Sequence, residues 1–163
     1  MMCAHHYQPT ADISDTEWER IKHDLSIAFD QIQCHPETLP VEVRSLQRGI
    51  TNGDKKSSIN HHSELYETLN NHEAIVFSGL DHEAGQTFVL ERESLSCPHI
   101  ASASCETESL PYDWFVRAAL LIVQSHSPSA YQIVSSAHPD DWNQTAKWLS
   151  TILNREVGSL VRV

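Results

Sequence analysis

At 163 residues, with 40% hydrophobic and 20% charged side chains, the chain has the size and composition of one folded domain rather than a disordered or fibrous polymer. Its formal net charge of −11 argues against direct contact with phosphate backbones or anionic membranes, which such a field repels. The opening MMCAHHYQPT lacks the apolar stretch of a secretory signal, and the longest apolar run, Trp114 to Val123, is interrupted by Arg117, so a cytoplasmic protein is expected.

In chain order, residues 1–12 read as a flexible leader. The first strong element is a helix over 15–33. Ser14 and Glu17 have the spacing of a capping box, and Ile13 with Trp18 that of a hydrophobic staple. Trp18, Ile21, Leu25, Phe29 and Ile32 then recur at helical spacing until His35-Pro36 stops the run. Val41 to Arg44 alternates apolar and polar, a weak strand signal, and Asn52-Gly53 marks a turn. Leu65, Tyr66 and Leu69 suggest a short helix near 62–71. A hairpin follows over 74–90, with arms at 74–77 and 87–90 rich in β-branched and aromatic residues. The Ser-rich stretch 94–110 fits either a loop or an edge strand. Residues 112–126 are apolar nearly all round, the mark of a buried helix, and Ser127-Pro128 ends it. Strand 131–134, helix 139–153 and strand 159–163 have the size of a βαβ unit. The fold class is therefore α+β in a single domain, a small mixed sheet covered by three main helices.

The charge is unevenly spread. Residues 57–113 carry ten carboxylates against Arg92 alone. This segment, and in it Glu83, Glu91, Glu93, Glu106 and Glu108, is the candidate surface for a basic region on another protein, with a second copy of the chain as a further option.

Histidines and cysteines offer the other chemistry. His5-His6 and His61-His62 lie in polar segments and are expected to point into water. Cys97, His99 and Cys105 could assemble a thiolate–imidazole metal site, although their spacing is not that of a regular structural zinc motif. Arg117 inside the apolar helix has Asp113 four residues earlier. That is the spacing of an ordinary ion pair, with anion binding as the alternative role.

The string Ala137-His138-Pro139-Asp140-Asp141 resembles the A-H-P-D-D-E signature of zinc deacetylases that act on N-acetylglucosaminyl lipids and related sugars. The resemblance implies His138 and Asp141 as zinc ligands and Asp140 as general base. This chain departs from the signature at Trp142, and no histidine follows His138 to complete the ligand set. Proline at a first helical position and two aspartates in a first turn also describe a helix start, which is the reading adopted. The functional expectation is a small acidic, non-catalytic binding factor of inhibitor, immunity or anti-defence type, without a cofactor. The alternative is a metal-dependent hydrolase with His and Cys ligands.

Overall fold

The helices begin where their capping chemistry places them. In the computed structural model, which describes residues 3–53, 56–69, 71–80, 85–93, 103–108 and 110–160, helix α1 spans Asp15–Cys34. The Ser14 hydroxyl accepts from the Glu17 amide, and the Glu17 carboxylate accepts from the Ser14 amide, both at 3.2 Å, so two otherwise orphaned donors are satisfied. Trp18, Ile21, Leu25, Phe29 and Ile32 are buried, as their spacing requires. Helix α2, Asp113–His126, is buried continuously from Asp113 to Val123, so it runs through the core rather than along its surface. Helix α3, Pro139–Leu153, has His138 as its N-cap, with Nδ1 accepting from the Asp140 amide at 3.1 Å. The A-H-P-D-D string is thus a helix start, and Asn154 in the left-handed region (φ 53°) ends the helix.

Among the described residues, seven strands make two antiparallel sheets. In the first, β1 (Ala4–Pro9) lies between β6 (Ala103–Glu106) and β7 (Tyr131–Ser135). Residues 4–9 therefore do not belong to a flexible leader. They are paired on both sides, and their side chains alternate with period two: His5, Tyr7 and Pro9 inward, His6 and Gln8 outward. In the second sheet, β4 (His72–Gly79) pairs with β2 (Ile50–Thr51), β3 (Tyr66–Leu69) and β5 (Phe88–Glu91). The expected hairpin is β4–β5, in register from Ala74 opposite Glu91 to Phe77 opposite Phe88. Tyr7 and Tyr131 tie the sheets together, their hydroxyls donating to the Val89 and Glu91 carbonyls, each at 2.7 Å. Phe77 then packs on Phe88 and on Phe115 of α2, with ring centroids 5.0 and 4.7 Å apart.

Three local expectations change. Val41–Arg48 is a 3-10 helix, not a strand. Pro40 enters it with a preset backbone, and of its eight residues only Leu46 is buried, so no strand face is formed. The helix expected near 62–71 is one 3-10 turn, His62–Leu65, followed by β3. There Asn71, at φ 68°, takes the left-handed conformation that asparagine tolerates, which closes a tight β3–β4 turn and hands Tyr66 to Leu69 to β4. Finally, β7 pairs antiparallel with β1 in a sheet separate from the hairpin. The strand expected over 159–163 has no regular structure through Leu160, and 161–163 lie outside the described residues.

Candidate metal centre

The inward alternation of β1 delivers Cys3 and His5 to one side of the sheet, beneath the first turn of α2. There Cys3 Sγ, His5 Nε2 and Asp113 Oδ1 converge. The separations are 3.9 Å between sulfur and nitrogen, 3.8 Å between sulfur and oxygen, and 2.6 Å between nitrogen and oxygen. All three residues are buried. A point equidistant from the three atoms lies about 2 Å from each, near the bond lengths of about 2.0–2.3 Å that zinc makes to nitrogen, oxygen and sulfur.

His5 and Asp113 are each held from behind. His5 Nδ1 meets Ser135 Oγ at 2.7 Å, which fixes the ring and leaves Nε2 for the centre. Trp142 donates its indole N–H to the same hydroxyl at 3.2 Å and meets the His5 ring edge-on, centroids 5.3 Å apart. Thr107 Oγ1 donates to Asp113 Oδ1 at 2.5 Å. Arg117 donates to the other carboxylate oxygen, Oδ2, and through Nε to Thr145 Oγ1 at 3.1 Å. The sequence-expected pair of Asp113 and Arg117 is therefore formed, and both members are buried.

Electrostatics follow from this packing. Burial opposes the charged form of His5, but hydrogen bonds to Asp113 and Cys3 outweigh it and push the imidazole up to about 9. Burial pushes the Asp113 carboxyl up, yet the His5 hydrogen bond and the Arg117 charge hold it below the usual carboxylate range. Cys3 is not placed as the nucleophile of a relay, because Nε2 faces both its thiol and the Asp113 carboxylate. Ser135 does lie across the imidazole from Asp113, but its hydroxyl is buried and already accepts from the Trp142 indole and the Ala137 amide. Three donors aimed at one point suit a shared cation.

The centre opens onto a cleft of about 510 Å³. Cys3, Asp113 and Arg117 line it together with the 3-10 segment at 40–43 and the connection from β7 into α3. Trp114 and Leu110 supply apolar wall, and Glu42 and Asp141 stand along it. The A-H-P-D-D string thus borders the same cleft, although it supplies none of the three converging donors.

The other sequence candidates are dispersed. Cys97, His99 and Glu83 lie outside the described residues, and Cys105 is buried on β6 with its sulfur against the Gln86 carbonyl at 3.3 Å. Glu91 is corrected from surface to interior, at 5% exposure. Both faces of β5 are covered at that end, so neighbouring Leu90 and Glu91 are both buried. Glu93 is half-buried against His72 Nδ1 at 2.8 Å, Glu106 is half-buried, and Glu108 is exposed. His5 is corrected in the same sense: it is fully buried, while its neighbour His6 is exposed. Its one sequence signal was alternation through Cys3, His5 and Tyr7.

Compared with known protein families, curated proteins and solved structures, the chain matches none. Among the described residues, no helix is long and apolar enough to cross a membrane.

Proposed function

We propose that Cys3, His5 and Asp113 hold a single divalent metal ion, zinc by the character of the donors, and that the protein is a metal-dependent hydrolase acting in the adjoining cleft. The observation that carries this reading is the convergence of thiol, imidazole and carboxylate on one point at the cleft wall. Three protein ligands with a fourth position open to solvent is the catalytic rather than the structural arrangement for zinc. A metal so placed acidifies bound water and polarises a carbonyl or phosphoryl oxygen. In that scheme Ser135 and Thr107 orient the ligands, and Arg117 neutralises the carboxylate oxygen that faces away from the metal. Asp141 and Glu42 are the lining carboxylates able to take a proton from water. The test is elemental analysis of protein purified without chelator, repeated on Cys3→Ser and His5→Ala. About one zinc per chain, lost in both variants while each stays folded, supports the reading. Wild-type protein that neither retains nor takes up zinc refutes it.

A second reading has one observation in its favour. Glu64, Glu67 and Glu108, in the strongly acidic segment, are exposed. A non-catalytic factor that meets a basic surface of another protein through these carboxylates would associate quickly and lose affinity with added salt.

A further inference from the structure

Two N–H groups of residues lining the cleft have no acceptor among the described residues. Arg117 lines the cleft with Nε on Thr145 and Nη1 on Asp113, and its Nη2 has no hydrogen-bond partner among the described residues. Trp114, on the preceding turn of α2, also lines the cleft. Its indole Nε1 is buried and has no acceptor among the described residues. The guanidinium carbon lies 5.5 Å from the Trp114 ring centroid, so the two side chains form one cation–aromatic unit. A buried donor without an acceptor is costly, and acceptors supplied by a ligand would remove that cost.

Charge points the same way. With a divalent metal bound, the thiolate of Cys3 and the carboxylate of Asp113 cancel the metal, and Arg117 is left as one positive charge in excess. Glu42 and Asp141 carry the opposite sign in the same lining, so the excess is local to Arg117 and suits one negative charge rather than two. Val43, Leu110 and Ala137 add apolar wall beside the Trp114 ring, among polar neighbours that include Ser136, His138 and Gln144. Glu42 and Asp141 line the same cleft and would oppose a doubly charged phosphate more than a singly charged carboxylate.

We infer that the cleft receives a small organic monocarboxylate with an apolar or aromatic body, its carboxylate engaged by Arg117 and Trp114 and its body laid against the apolar wall. This names the substrate class of the proposed hydrolase. Its charge argument rests on the metal reading, while the two unused donors do not.

Benzoate is the probe, with benzamide as the uncharged isostere and phenyl phosphate as the doubly charged one. Each is titrated by calorimetry into zinc-loaded and into metal-free protein. Benzoate should bind one site per chain, about tenfold or more tighter than benzamide and tighter than phenyl phosphate. Val43→Trp, which fills the cleft from a half-buried position on a 3-10 segment, should abolish binding while leaving the melting temperature within a few degrees. Arg117→Lys should narrow the preference for benzoate over benzamide. If zinc is retained but benzoate binds no better than benzamide, or phenyl phosphate binds best, the inference is overturned and the metal centre survives. If zinc is not retained but benzoate still binds selectively and Val43→Trp abolishes it, the metal centre falls and the carboxylate site stands on its donors alone. Selective binding that persists in Val43→Trp places the site elsewhere and overturns the inference.

Discussion

Asp113→Asn is the sharpest perturbation of the buried centre. The carboxylate is 2% exposed and accepts from Thr107 and His5 on one oxygen and from Arg117 on the other. Asparagine keeps the shape but removes the charge that balances a buried guanidinium, and it turns one acceptor into an NH₂ group. If the NH₂ faces Arg117, two donors oppose each other. If it faces His5, the imidazole loses its acceptor and Thr107 loses its partner. Leaving one member of a buried ion pair uncompensated costs about 3–5 kcal/mol. Set against a total stability of about 5–15 kcal/mol for a domain, that loss is large. Equilibrium urea denaturation in chelator measures it without the metal. The double variant Asp113→Asn with Arg117→Met removes both charges and should recover part of the cost, with a coupling energy of about 1–3 kcal/mol. A loss below about 1 kcal/mol for Asp113→Asn, at unchanged denaturant slope, would mean that water compensates the charge left on Arg117 and that the pair is not buried as described.

The pH dependence follows from His5. Its folded value, about 9, lies above the unfolded value near 6.5, so its contribution to the metal-free protein is complete below about 6.5 and is lost as pH rises through about 9. Thermal unfolding in chelator should show stability declining across that window, and His5→Gln should flatten the decline. Leu121→Ala, at a fully buried position of α2, should cost about 2–5 kcal/mol in urea, and a near-zero cost would mean that α2 is not central. Ser14→Ala should cost about 0.5–2 kcal/mol by removing the α1 cap, with unchanged values for Thr16→Ala as the control. Glu108→Lys should leave stability within about 0.5 kcal/mol. If the acidic segment docks a basic partner, this change should also slow association in a salt-dependent way, and equal rates across a salt series would remove that reading.

The three helices were legible because local chemistry decides them. Ser14 with Glu17, His138-Pro139 and Ser127-Pro128 mark ends that need no tertiary context, and the all-round apolar face of 113–123 states its own burial. The short strands were not legible in the same way. β3 is four residues beside a 3-10 turn, and β1 carries two histidines and a proline, so neither shows the apolar alternation that announces a strand. The centre was hidden for a related reason. His5 is polar where a core position is expected, and what makes its burial tolerable is a carboxylate 108 residues away. Asp113 and Arg117 could be paired from their spacing alone, but nothing in that spacing links them to Cys3. Glu91 shows the converse: composition counts a carboxylate, and only the packing of β5 shows that it faces inward.

Cobalt(II) substitution tests the central claim most directly, because a thiolate bound to cobalt gives a charge-transfer band that no oxygen or nitrogen ligand produces. Titrated into metal-free protein, cobalt should develop that band together with the intense visible bands of a four-coordinate ion, saturating at one equivalent per chain. Cys3→Ser should abolish the charge-transfer band, and Cys105→Ser and Cys34→Ser should leave it unchanged. Absence of the band in the wild type, or its persistence in Cys3→Ser, would contradict a metal centre at Cys3, His5 and Asp113.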